Sequence, residues 1–147
     1  MAKYSVSRKT EINAPVPAIW KAIVNVSSWP EYKPFIKRIR TGSQVLGKGG
    51  HFKMWIRVKG PAVPVPVKVV EFDPPRRVAW TGGLAGLSVS VHSFILEQSE
   101  NGTILTSRED FTGRLVRLML LLVRPRDLER LHDDWLFAIK NKVEGNR

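Results

Sequence analysis

The chain has 147 residues, 43% of them hydrophobic, and no cysteine. That length suits one domain with its own core, the composition is not that of a disordered chain, and disulfides, thiolate zinc sites and a cysteine nucleophile are excluded. Lysine and arginine outnumber aspartate and glutamate by 24 to 13, a net charge of +11, which leaves open an anionic ligand, an anionic membrane surface, nucleic acid, or a basic surface that only aids solubility.

The first residues lack an apolar signal core, so a cytoplasmic protein is expected. Tyr4 to Ile12 alternates and reads as a strand. Asn13-Ala14-Pro15 ends it, with Asn13 as a candidate cap and Pro15 or Pro17 suited to a first helical turn. Ile19, Trp20, Ile23 and Val24 make one face of a short helix. A second short helix is expected around Trp29 to Phe35, capped by Ser27 or Ser28 and interrupted by Pro30 and Pro34.

Ile36 to Val45 reads as a strand and Gly47-Lys48-Gly49-Gly50 as a turn. His51 to Lys59 alternates, with Phe52, Met54, Ile56 and Val58 on one face and the charged residues and Trp55 on the other. Val63 to Phe72 is a strand whose prolines, Pro64 and Pro66, place its start at a sheet edge or a bulge. Arg76 to Thr81 follows as a strand, then a flexible link of Gly82, Gly83 and Gly86. Leu87 to Gln98 and Thr103 to Phe111 form a hairpin about Glu100-Asn101-Gly102.

Leu115 to Val123 is either a separate helix or the kinked first arm of a longer one, because Pro125 cannot sit inside a straight helix. It is far short of the ~20 residues of a membrane span. From Arg124 to Glu144 an apolar stripe recurs at helical spacing: Leu128, Leu131, Trp135, Ile139 and Val143. One long amphipathic helix after a run of strands buries its stripe most economically across the concave face of a curved antiparallel sheet. A hollow between helix and sheet is the expected place of function.

The order is strand, two short helices, six strands, terminal helix. It resembles the helix-grip fold of the START-like (SRPBCC) superfamily, an α+β class with a sheet of about seven strands. Glu11-Ile12-Asn13-Ala14-Pro15 with Ile19-Trp20, and Trp29-Pro30-Glu31-Tyr32-Lys33-Pro34-Phe35, resemble the opening segments of its polyketide cyclase/dehydrase-like branch. Phe72-Asp73-Pro74-Pro75 before Trp80, His92-Ser93-Phe94-Ile95-Leu96-Glu97, and Glu109-Asp110-Phe111-Thr112-Gly113 resemble its later signatures. The resemblance spans residues 1–147 as a single ligand-binding domain and implies a hydrophobic guest. It does not fix a function, because the superfamily holds carriers, receptors and cyclases.

Catalytic constellations are absent. The glycine runs have neither Walker nor dinucleotide spacing, and His51, His92 and His132 are too far apart in sequence to suggest a metal site; no metal or cofactor is expected. His92 shares a strand face with Ser90, Phe94 and Leu96, which the resemblance turns inward; periodicity alone, through Leu87, Val89, Val91 and Ile95, turns it outward. Inward, it could hold a ligand oxygen or act as acid/base; otherwise it is a structural histidine. Glu109 shares a face with Leu105, Ser107 and Phe111, and a buried carboxylate there requires an arginine or His92 as partner. Phe52, Met54, Ile56, Trp80, Phe94, Phe111, Leu118 and Trp135 complete the expected lining, with most such residues ordinarily plain core.

Arg114, Arg117, Arg124 and Arg126 around Leu118 to Val123 suggest an anionic membrane surface or a gate over the hollow; the plainer alternative is packing on the sheet edge or a dimer partner. Lys33, Lys37, Arg38, Arg40, Lys53, Arg57 and Lys59 could form a patch on the outer sheet face, but without a reader motif nucleic acid is not the expected partner. The leading expectation is a carrier, monomeric or homodimeric, of a hydrophobic or amphipathic, lipid- or polyketide-like molecule. A polyketide cyclase or dehydratase using His92 or Glu109 is the alternative, and a protein-interaction module a third.

Overall fold

The computed structural model describes residues 3–43, 45–57, 60–82 and 89–145. Val58, Lys59, Gly83, Gly86 and Leu87, which figure in the strand and link expectations, lie outside the described residues. The elements run β1 (Tyr4–Ile12), α1 (Val16–Val24), a 3-10 turn (Val26–Ser28), α2 (Trp29–Tyr32), β2 (Ile36–Thr41), β3 (His51–Ile56), β4 (Val63–Asp73), β5 (Arg77–Gly82), β6 (Val89–Ser99), β7 (Gly102–Thr112), α3 (Val116–Leu122) and α4 (Pro125–Gly145). The strands form one antiparallel sheet of order β1-β7-β6-β5-β4-β3-β2. This is the helix-grip arrangement, with α4 held against the inner face of a curved sheet.

Local chemistry explains the boundaries. Pro15, not Asn13, is the N-cap of α1, with Pro17 in its first turn, where a missing N–H costs nothing. No side-chain cap serves α2; Ser28 Oγ donates instead to the Asn25 carbonyl. That helix stops at Tyr32, since the residue before Pro34 is pushed out of helical geometry. The β4 strand is internal to the sheet rather than an edge. Its pairing with β5 begins only at Lys68, so Pro64 and Pro66 lie where β3 is the only neighbour among the described residues. Pro125 opens α4, so α3 is a separate helix and not a kinked arm.

The core is in two parts. The larger gathers Trp29, Phe52, Trp80, Phe94, Trp135 and Ile139 between the sheet and α4. Trp135 lies amid these rings, with centroids 5.1 Å from Trp29, 5.4 Å from Phe35 and 5.4 Å from Phe94. The smaller holds Val6, Phe111, Val116, Met119 and Leu128, where α3 and the start of α4 meet β1 and β7.

Candidate functional site

Where the two clusters fail to merge, the interior holds a cavity of about 60 Å³. The sheet contributes Met54, Ile56, Val65, Trp80 and Phe111, α3 contributes Met119, and α4 contributes Leu128, Leu131 and Trp135; Val123 closes the link between the helices. Among the described residues three polar side chains reach this wall: Ser90, His92 and Glu109. Ser90 is 1% exposed, and its hydroxyl has no hydrogen-bond partner among the described residues.

Strand register brings the polar residues together. His92 lies directly across from Glu109 on one side and Trp80 on the other. The bonds of His92 and Glu109 run instead through Ser107 and through His132 of α4. The Nε2 of His92 lies 2.8 Å from Ser107 Oγ, which lies 2.8 Å from His132 Nδ1; His132 Nε2 lies 2.9 Å from Glu109 Oε1. Ser107 and His132 are fully buried.

Two proton arrangements satisfy this relay. With neutral His132, its Nε2–H donates to Glu109, Ser107 donates to Nδ1, and His92 donates from Nε2 to Ser107. With His132 charged, Nδ1–H donates to Ser107, whose hydroxyl turns and donates to His92. The Ser107 hydroxyl is thus the pivot between the two rings. Burial, and secondarily the nearby His132 and Lys33, hold the His92 imidazole well below its ordinary 6.5. His92 is therefore neutral at physiological pH, one ring nitrogen donating and the other accepting a hydrogen bond, and it does not retain an added proton.

Lys33 corrects the sequence reading. Its expected place is an outer basic patch, yet it is fully buried. Its Nζ lies 4.2 Å from the Trp29 ring centre and 4.0 Å from that of Trp135, with no hydrogen-bond partner among the described residues. Burial drives its pKa well below the ordinary value. Lys37, Arg38, Arg40, Lys53 and Arg57 are exposed, and Arg38 stacks over Trp55 at 4.7 Å.

Residues 3–144 match the family described as "Polyketide cyclase / dehydrase and lipid transport". The chain belongs to that family. Sequence comparison with curated proteins finds no match. Among solved structures, this polyketide cyclase-family chain is similar to a hypothetical protein of Helicobacter pylori, with 18% identity, TM-score 0.81, and 97% of this chain and 89% of that one covered. It is likewise similar to the Zhui aromatase/cyclase from Streptomyces sp. R1128, with 18% identity, TM-score 0.79 and coverage of 96% and 93%. A START superfamily protein from Mycobacterium smegmatis has 14% identity, TM-score 0.73 and coverage of 97% and 99%. At these identities the structures speak for the fold. Family membership supports a ligand-binding or cyclase role and points to a hydrophobic small molecule.

Within this family member the expected lining separates into two groups. Met54, Ile56, Trp80, Ser90, His92, Glu109, Phe111 and Trp135 border the cavity. Phe52 and Phe94 do not; both are buried in the aromatic cluster, with centroids 5.6 Å from Trp29 and Trp80 respectively. Leu118, expected in the lining, is 45% exposed, because the face of α3 that turns inward is the one carrying Val116 and Met119. The partner of Glu109 is His132, not an arginine or His92. His132 had a legible signal: it sits four residues after Leu128 and three before Trp135, on the buried stripe itself.

Among the described residues no group of three or more His, Cys, Asp or Glu could hold a metal, and no helix is long and apolar enough to cross a membrane.

Proposed function

We propose that this protein binds a hydrophobic or amphipathic small molecule, lipid- or polyketide-like, in the cavity between the sheet, α3 and α4. The observation that carries this reading is an almost wholly apolar chamber holding one buried, unpartnered hydroxyl, that of Ser90. A buried polar group without a partner is costly unless a guest supplies one. Apolar burial gives the affinity, at ~25 cal/mol per Å². Ser90, His92 and Glu109 orient the polar end of the guest.

The chamber volume of about 60 Å³ is well below the ~300–1,000 Å³ of pockets for drug-sized ligands. The reading therefore includes a widening step. Met119 and Val123 line the chamber on the side of α3, and an outward shift of this seven-residue helix would enlarge it.

Trp80 and Trp135 line the chamber, so intrinsic fluorescence can report on binding. Titration with medium-chain fatty acids and with polycyclic aromatic ketones should change the emission and raise the melting temperature. Met119→Trp, which fills the chamber, should abolish both effects. Ser90→Ala should weaken binding about fivefold, the loss of one hydrogen bond. No response from any of these compounds, or an unchanged response in Met119→Trp, would refute the proposal.

One observation favours a second reading, a cyclase or dehydratase. The Glu109–His132–Ser107–His92 relay could carry a proton away from a substrate held in the chamber. His92 would take the proton at Nδ1 and release one from Nε2 to Ser107, Ser107 would pass its own to His132 Nδ1, and His132 would pass one from Nε2 to the Glu109 carboxylate, where it rests. Ser107→Ala separates the readings: turnover would fall while binding persists in an enzyme, whereas a carrier has no turnover to lose.

A further inference from the structure

The outer face of α3 has no role in the chamber. Leu115, Leu118, Leu121 and Leu122 are 42%, 45%, 76% and 58% exposed, while the opposite face packs inward through Val116 and Met119. Soluble proteins rarely leave so many large aliphatic residues together in water.

Charge says what covers them. Arg114, Arg117, Arg124 and Arg126 are all exposed and flank the leucines on both sides. No acidic residue occurs between Asp110 and Asp127. A second copy is a poor occupant, because a symmetric dimer through this face would bring two sets of four arginines together. A partner protein would ordinarily be met with aromatic anchors. This segment offers none: no Phe, Tyr or Trp occurs between Phe111 and Trp135, and both of those are buried. A run of leucines ringed by arginines instead matches acyl chains below a layer of anionic headgroups.

We infer that the exposed face of α3 docks on an anionic lipid bilayer. The leucines enter the acyl boundary and the arginines meet the headgroups. Docking places α3, whose inner face carries Met119 of the chamber lining, between the chamber and the bilayer; that consequence rests on the ligand-binding reading, but the docking itself does not.

The test is flotation of the full chain with phosphatidylcholine vesicles and with vesicles in which about one lipid in three is phosphatidylglycerol. The protein should float with the anionic vesicles, stay behind with the neutral ones, and be released by high salt. Arg117→Gln with Arg124→Gln should lower the partition coefficient about twenty-fivefold, at about fivefold per cation. Leu121→Ser with Leu122→Ser should abolish flotation while the melting temperature holds, because both side chains are exposed. Met119→Trp, with its chamber filled, should float as the parent does, so failure of ligand binding and failure of docking are separable. Absence of flotation with anionic vesicles, or flotation indifferent to both double substitutions, would overturn the inference. So would light scattering that shows a dimer which the leucine substitutions convert to a monomer.

Discussion

Lys33 and His92 both cost this fold stability. Each is a base buried where its charged form loses hydration, and each is held well below its ordinary value, 10.5 and 6.5 respectively. In the unfolded chain both titrate normally. Between the folded and unfolded values the unfolded chain binds more protons, so stability rises with pH across that window and falls as pH drops. For Lys33 the window lies below 10.5, and for His92 below 6.5. Urea midpoints should therefore decline as pH falls below about 10.5 and decline further as it falls below about 6.5. Lys33→Met, apolar and similar in length, should stabilise the protein by about 1–3 kcal/mol at neutral pH and flatten the alkaline slope. His92→Gln should flatten the acid slope. Ser107 belongs to the same scale, because its hydroxyl is the shared partner of two buried rings. Ser107→Ala leaves a nitrogen of each ring without its partner and should cost about 2–4 kcal/mol, read from chemical denaturation near neutral pH. A smaller loss, below about 0.5 kcal/mol, would mean that the rings re-pair without it.

At the scale of elements, the β6–β7 hairpin is held by a close approach. Gly102 has φ +156°, and a Cβ there would run into the Ile12 carbonyl oxygen at the end of β1. The obstacle is backbone, which cannot swing aside. Thr103 Oγ1 donates to the Ala14 carbonyl at 2.9 Å and ties the same corner. Gly102→Ala should destabilise by more than about 2 kcal/mol, a drop visible in the melting temperature, and should loosen the start of α1 in hydrogen exchange. The outward leucines of α3 can be changed without such a penalty, because their side chains already lie in water.

For the whole molecule, the division of the core into two clusters decides where function can sit. Merging them would give more burial and no chamber. The protein retains the gap, the unpartnered Ser90 hydroxyl and the relay instead. Ser90→Ala should raise the unfolding free energy by about 1 kcal/mol while weakening the guest. Opposite signs in the two measurements would be the mark of a group kept for binding rather than for stability.

The architecture could be read from the chain because it rests on local rules. Alternation marked the strands and the Leu128–Ile139 stripe marked the terminal helix, while Pro125 left open whether Leu115 to Val123 was its first arm. Those are properties of neighbours along the sequence. What periodicity left open for His92 was settled by the sheet, whose inner face takes Ser90, His92, Phe94 and Leu96. The inward turn of Lys33, the insertion of His132 between Ser107 and Glu109, and the outward turn of Leu118 came from packing between elements far apart in sequence. A side chain's partner across such a distance depends on how the helices settle on the sheet, and no local pattern encodes that.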